Sequence, residues 1–338
     1  VSRQGWHSLD ESDIRVRPNR RGTRPRSKRR PDHAGASQAM VVAVAKGRWT
    51  CALERDPRRL VTAMRARELG RTPVVVGDLV ELVGDTTGVA GSLARIVRVA
   101  ERTSVLRRTA DDTDPYERVV VANAGKLIIV SALADPPPRT GFIDRCLVAA
   151  FAGGLSPVLC LTKADLAAPD RLTALYAELS VPVVVTRADT EPAELRAELA
   201  DDVSAMIGHS GVGKSTLVNR LVPDAGRATA AVSAVGKGRH TSTSAVALPL
   251  ADGGWVVDTP GIRSFGLAHI TPADVVAAFP DLHAAAEECP PNCGHLGPPE
   301  DPDCYLDRFL ADGGSSPGRL DSLRRLLQSR VRPDEKFG

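Results

Sequence analysis

The stretch Gly208-His209-Ser210-Gly211-Val212-Gly213-Lys214-Ser215-Thr216 matches G-x-x-x-x-G-K-[ST], a loop whose chemistry is phosphate binding. Its glycines let the backbone wrap closely around an anion and aim N–H groups at it. In this pattern Lys214 reaches the β- and γ-phosphates and Ser215 holds Mg²⁺. Thr162-Lys163-Ala164-Asp165 fits the guanine-reading pattern [NT]-K-x-D. The Asp165 carboxylate can accept from N1–H and from the 2-amino group of guanine, two donors that adenine does not offer in that arrangement. The Lys163 stem can lie along the base. Thr162 stands where Asn is usual, and being shorter it bears directly on guanine affinity. Asp258-Thr259-Pro260-Gly261 fits D-x-x-G: Asp258 would contact Mg²⁺ through water, and the Gly261 N–H would meet the γ-phosphate. Thr186-Arg187-Ala188 is a candidate for the loop behind the base.

Between the phosphate loop and Asp258, Gly236-Lys237-Gly238-Arg239-His240-Thr241-Ser242-Thr243 is the expected loop over the γ-phosphate. Thr241 would complete the Mg²⁺ coordination, with Thr243 as the alternative. The residue after Gly261 is Ile262, where Ras-like enzymes carry the glutamine that orients the attacking water. An aliphatic side chain cannot do this, so intrinsic hydrolysis is expected to be slow. Lys214 and His240 are the catalytic candidates, and a bound partner is the alternative to His240. A separate cluster, Cys289-x3-Cys293-x-His295-x8-Cys304, offers four soft or borderline ligands within sixteen residues. That set suits tetrahedral Zn²⁺ with no open position, hence a structural site.

These motifs need a sheet to carry them. Val203–Ile207, Val158–Leu161 and Trp255–Asp258 read as strands ending at the phosphate loop, the guanine motif and the D-x-x-G motif. The apolar run 127–130 reads as a central parallel strand. Helical patterns over 142–152, 171–179 and 194–199 alternate with strands, which predicts a doubly wound α/β domain. In the common order the guanine motif follows D-x-x-G. Here it precedes the phosphate loop, so the domain is expected to be circularly permuted, as folds with neighbouring termini tolerate. The chain then leaves the D-x-x-G segment straight into the Cys/His region, where helix starts at Thr271-Pro272 and Ser316-Pro317 are expected.

Upstream, short β segments at 40–45, 48–53, 60–64, 74–83 and 93–99 predict a small Greek-key barrel of the OB type, an SH3-like barrel being the alternative. Arg48, Arg55, Arg65, Arg67 and Arg71 lie along it, as on barrels that bind RNA or single strands. Residues 15–31 hold nine basic residues and no acidic ones, so they read as a disordered basic arm with electrostatic affinity for nucleic acid. The overall charge is +3. Residues 1–33 and 34–108 each carry +6, which leaves −9 for 109–338. The polyanion partner is therefore expected at the N-terminal third. Aromatics are only 4% of a chain that is 43% hydrophobic, so branched aliphatics must fill the cores. Six cysteines without a disulfide-like pattern fit a reducing cytoplasm. No apolar run reaches membrane-spanning length, and no secretory leader is expected. The expected organisation is a disordered basic arm (1–36), an OB-fold RNA-binding domain (37–108), a circularly permuted GTPase domain (109–275) and a helical zinc-binding domain (276–338).

Together these features resemble the ribosome-small-subunit-dependent GTPase A (RsgA) family of bacterial assembly GTPases, over roughly residues 40–330. The resemblance is carried by Val76-Gly77-Asp78 in the barrel, by 101–108 (ERTSVLRR) and by Asp144-Arg145. It is carried further by the permuted motifs, 236–243 (GKGRHTST), 258–267 (DTPGIRSFGL) and the Cys/His cluster. The cysteine spacing and the long basic arm depart from the family's pattern. The resemblance implies GTP with Mg²⁺, binding to the maturing small ribosomal subunit through rRNA, subunit-stimulated hydrolysis, and release late in assembly. A monomer is expected. Two other readings fit the same motifs: a nucleotide-gated rRNA-binding module whose turnover is incidental, and a permuted GTPase acting on the large subunit or a non-ribosomal RNA.

Overall fold

Five β-rich segments close on themselves ahead of the nucleotide motifs. They are β1 (Ser37–Ala45), β2 (Arg48–Leu53), β3 (Asp56–Arg65), β4 (Leu79–Gly84) and β5 (Ala94–Val99). β1 pairs with β2 on one side and β4 on the other, which completes the ring β1-β2-β3-β5-β4. Val41, Cys51, Val61, Val80, Leu82 and Ile96 alternate inward and form the barrel core. The description comes from a computed structural model and covers residues 33–45, 47–70, 72–109, 112, 116–223, 225, 245–259 and 266–329. Residues 1–32 of the basic arm and Arg71 lie outside the described residues.

The expected strand 74–83 is shorter in the structure and begins at Leu79. Val75–Asp78 forms a turn instead, in which the Val75 N–H donates to the Asp78 carboxylate at 2.8 Å. Gly77 has φ +90°, and a Cβ there would collide with the Ala122 carbonyl oxygen. The turn is thereby pressed onto the next part of the chain. Asp78 is fully buried and receives two bonds from the Arg102 guanidinium, at 2.7 and 2.9 Å. Asn123 donates to the Gly77 carbonyl and accepts from the Thr103 N–H, both at 2.9 Å. Val76-Gly77-Asp78 and Arg102 therefore form the joint between barrel and α/β domain.

β6 (Val105–Arg108) leaves the barrel and pairs with β7 (Arg118–Ala122). Beyond it, β8 (Lys126–Ala132), β9 (Ser156–Thr162), β10 (Val183–Val185), β11 (Val203–Gly208), β12 (Val246–Pro249) and β13 (Trp255–Asp258) form a sheet in the order β10-β9-β8-β11-β13-β12. All neighbours are parallel except β12 with β13. A single pairing, Ala43 with Val246, continues this sheet into the barrel. Side chains alternate across β8. Leu127 and Ile129 pack with α1 (Thr140–Ala152), whereas Ile128 and Val130 pack with α3 (Ala193–Leu199) and α4 (Lys214–Leu221). Between them in the chain, α2 (Asp170–Tyr176) buries Leu172 and Tyr176 on the α1 side.

Among the described residues, the C-terminal helices are α5 (Pro272–Val276), α6 (Pro280–Ala286), α7 (Tyr305–Ala311) and α8 (Pro317–Ser329). Thr271 caps α5 with a reciprocal Thr271–Asp274 box, as Thr-Pro suggested. Leu320, Leu323, Leu326 and Leu327 of α8 share one core with α1 and the sheet. The C-terminal helices thus complete the α/β domain's outer layer rather than packing only among themselves. Asp144 is buried on α1 and bonds Arg325 of α8 at 3.2 Å. Burial raises its pKa to about 6, against the pull of Arg325 and of a hydrogen bond from Tyr176.

Removing Arg102 would leave the Asp78 carboxylate buried and unpaired. Arg102→Ala is expected to destabilise the protein by about 3–5 kcal/mol, measured by urea unfolding. An unchanged midpoint would show that the joint does not depend on this pair.

Candidate functional site

The chain order reverses at β11, which sits between β8 and β13. In an open parallel sheet the crevice beyond the strands' carboxyl ends at such a point is where ligands bind. The three motifs end there. The phosphate-loop sequence follows β11, Thr162 ends β9, and Asp258 ends β13.

The loop itself has the shape its glycines permit. Gly211 and Gly213 take φ +85° and +93°. A Cβ at Gly208 would lie 2.7 Å from the Val130 carbonyl oxygen, so the loop begins tight against β8. The second loop residue, His209, packs on Phe142 at the start of α1, ring centroids 3.9 Å apart. Ser210 and Gly211 are exposed, as are Ser215 and Thr216 on the first turn of α4. Lys214 pairs with Asp258 and lies 3.4 Å from the Thr259 carbonyl oxygen. Thr259 is buried and donates to the Met206 carbonyl at 2.7 Å, which pins the start of the D-x-x-G segment to β11.

Thr162 answers the question its shortness raises. Its hydroxyl is buried and donates to the Val212 carbonyl of the phosphate loop at 2.6 Å. A Cβ on Gly213 would lie 3.7 Å from that hydroxyl oxygen. The residue that opens the guanine motif therefore braces the phosphate loop across 50 residues of sequence. Lys163, at φ +60°, sends its ammonium to the Asp135 carbonyl. Asp165 is exposed at the crevice rim. The Ala164 N–H donates to the Thr186 carbonyl at 3.2 Å, so the loop 186–188 does lie behind the guanine motif. Gly261, Ile262, His240, Thr241 and Thr243 lie outside the described residues. Asp135 and Thr259 carry no motif letter that marks them, and their roles emerge only from the contacts.

The RsgA GTPase family profile matches residues 99–268. Full-length relatives match as well. A small ribosomal subunit biogenesis GTPase RsgA of Gemmatimonas aurantiaca is 37% identical over 302 residues, covering 86% of this chain and 96% of that protein. The chain belongs to the RsgA GTPase family. The protein of that name from Saccharophagus degradans is 35% identical over 318 residues, covering 87% and 88%. Among solved structures, YjeQ from Thermotoga maritima aligns with a TM-score of 0.64 at 27% identity, over 88% of this chain and 99% of that one. YloQ, described as a circularly permuted GTPase, aligns at 0.62 and 20% identity, over 91% and 100%. The family's permuted GTPase fold thus matches the strand order described above, and family membership brings GTP hydrolysis with Mg²⁺.

The Cys/His cluster lies on the loop region before α7. The donor atoms of Cys289, Cys293, His295 and Cys304 all fall within 4.8 Å of one another. A tetrahedral zinc with thiolate bonds of about 2.3 Å would set its ligands about 3.8 Å apart, so a small contraction suffices. Nδ1 of His295 is buried and has no hydrogen-bond partner, a polar atom placed for a metal. Burial lowers its pKa, which keeps the ring in the neutral, ligating form. Burial also pushes the Cys293 thiol up to about 12, with the Cys304 and Cys289 thiols adding to the rise. Crowded thiols of this kind ionise when a dication takes up their charge. Asp301 shapes the loop by accepting from the Gly294 and Leu296 N–H groups at 3.0 and 2.9 Å. Arg324 of α8 donates to the His295 carbonyl at 3.3 Å and to Asp307 at 2.7 Å. The residues present fit zinc, with four protein ligands and no open position.

Two outcomes follow. Thr162→Val removes the hydroxyl donation to Val212 and leaves that buried carbonyl unpaired. This should cost about 1–2 kcal/mol of folding stability, read as a lower urea midpoint, together with weaker GTP binding by calorimetry. An unchanged midpoint and unchanged affinity would show that the brace does not matter. Treatment with a strong chelator should release zinc and raise hydrogen exchange across residues 289–304, whereas Cys304→Ala should purify without it. Elemental analysis that finds no zinc in the untreated protein would remove the metal assignment.

Proposed function

We propose that the chain is a GTP hydrolase that binds the maturing small ribosomal subunit and couples hydrolysis to a late assembly checkpoint and to its own release. The observation that carries this reading is that the guanine, phosphate and D-x-x-G motifs stand at the carboxyl ends of β9, β11 and β13 along one edge of a parallel sheet, in a chain whose relatives bear the name small ribosomal subunit biogenesis GTPase RsgA.

In this reading Gly208–Thr216 wrap the phosphates, and Lys214 leaves Asp258 for the β- and γ-phosphates when nucleotide enters. Asp258 is then free to face the Mg²⁺ water shell, and Ser215 and Thr241 hold the ion. Gly261 meets the γ-phosphate. Asp165 reads guanine, with Thr162, Lys163 and Ala164 holding it in place. One thing favours acceleration from outside the pocket: Ile262 cannot orient water. His240 is the alternative within the chain. A ribosomal group that completes the site would make hydrolysis depend on correct docking, as a checkpoint requires.

The barrel supplies the RNA-facing surface of this proposal. Arg48, Arg55, Arg58, Arg67 and Arg95 are all exposed on it. The basic arm, with nine cations in 15–31, adds salt-sensitive attachment to rRNA. The zinc site keeps the C-terminal segment folded rather than catalysing a step. The protein acts as a monomer in the cytoplasm. Among the described residues no helix is long and apolar enough to cross a membrane.

The test is the GTP hydrolysis rate alone, with purified small subunits and with large subunits. A slow basal rate that small subunits raise by orders of magnitude, and large subunits do not, is the expected result. Equal rates in all three would leave a nucleotide-gated RNA-binding module, and stimulation by large subunits would redirect the protein to the other particle.

A further inference from the structure

The chain that leaves the phosphate site is held at its far end by a residue no motif contains. After Thr259 and residues 260–265, Gly266 pairs with Thr109 in an antiparallel bridge, the Thr109 N–H donating to the Gly266 carbonyl at 3.1 Å. The next N–H, that of Leu267, donates to the Asp112 carboxylate at 3.0 Å. The Ala268 N–H lies 3.4 Å from the Thr109 hydroxyl. Asp112 sits between β6 and β7, and the same carboxylate oxygen takes the Arg145 guanidinium of α1. Arg145 is buried. Its other arm donates to the Ser329 carbonyl at the end of α8, at 2.6 Å. One step back on α1, Asp144 holds Arg325 of the same helix.

Asp112 thus joins two parts of the protein that no backbone hydrogen bond joins among the described residues. On one side is the exit of the D-x-x-G segment, whose entrance is pinned by Thr259 to β11. On the other is the last turn of α8, a helix whose Arg324 contacts the Cys/His loop at the His295 carbonyl and α7 at Asp307. We propose that Asp112 is a positioning residue that couples the two: through Arg145 it ties the nucleotide-dependent position of the D-x-x-G exit to the C-terminal helix and its zinc loop. The link is short, made of charge-assisted bonds, and half-shielded from water, with the Asp112 side chain 30% exposed and that of Arg145 5%. Coupling of this kind is reciprocal. If the γ-phosphate shifts the helix, then a partner that grips the helix shifts the preference for GTP over GDP by the same factor.

The first readout needs no ribosome. Hydrogen exchange of residues 323–329 is measured in the full chain loaded with GDP or with a non-hydrolysable GTP analogue. Exchange in the unaltered protein is expected to differ between the two states. In Asp112→Ala the difference should vanish, with intrinsic hydrolysis within about twofold of the parent. Asp112→Asn is isosteric and can still accept from the Leu267 N–H, but it cannot form the ion pair with Arg145. It should lose at least half of the difference, and it decides the matter if the alanine variant does not fold. Identical exchange in both nucleotide states of the unaltered protein, or a full difference retained in Asp112→Asn, overturns the proposal.

The second readout rests on the assembly reading above. The ratio of small-subunit affinities in the analogue and GDP states, of about 5-fold or more in the parent by the usual size of such couplings, should fall toward one in Asp112→Ala. A parent that binds no small subunit would sink the assembly reading, while the exchange measurement would still decide the tether.

Discussion

Parallel pairing of β8, β9, β11 and β13 is the constraint on which the rest depends. Each strand ends at the same edge of the sheet, so the residue that follows each one is delivered to a common crevice. Hydrogen-bond register, not chain order, decides who meets whom there. That is why Thr162, 46 residues before Gly208 in sequence, can brace the phosphate loop that follows it. It is also why moving the chain termini leaves the nucleotide chemistry intact. Permutation changes which segments enter and leave the site, and here the segment that leaves is the one that runs to the zinc loop.

The joints around that sheet share a chemistry. Each is a buried or half-buried carboxylate that receives an arginine from a distant element: Asp78 with Arg102, Asp112 with Arg145, Asp144 with Arg325, Asp281 with Arg319. A purely apolar contact between domains would tolerate sliding. A fork of N–H donors on a carboxylate does not, because any shift leaves a desolvated charge unpaired. The barrel is held this way at its Val76-Gly77-Asp78 turn, and α8 is held at two points on α1. The structure is therefore articulated through directional contacts, which suits a protein whose parts must keep their relative orientation while one of them changes ligand state.

The zinc loop follows a different principle. Residues 287–304 contribute little apolar surface, and the Asp301 carboxylate and Arg324 guanidinium organise the backbone around the four donors. A metal bound by these four donors would supply the stability that a core would otherwise give. Spacings of three, one and eight residues between ligands are tolerated because the donors converge in space through the turns at Asn292 and His295, both at positive φ.

Much of this protein was legible in the sequence. The phosphate loop, the guanine and D-x-x-G motifs, the permuted order, the barrel and the four clustered ligands are all local patterns, readable because each requires particular residue types at particular spacings. Nearly every strand of the α/β sheet was legible too, since a strand buried on both faces must be continuously apolar. The strand expected across 74–83 was not, because the apolar residues on either side of Gly77-Asp78 read as one run, whereas Gly77 at φ +90° turns the chain against the Ala122 backbone. The core shared by α8, α1 and the sheet was invisible for the same reason, as were the Thr162 brace, the Lys214–Asp258 pair and the Asp112 tether. Each joins residues far apart in the chain, and a threonine, lysine or aspartate has the same letter whether it faces water or a carbonyl 50 residues away. Sequence by itself determined which groups could do chemistry. Only the tertiary structure decided which of them touch, because contact depends on sheet register and helix packing that no local pattern encodes.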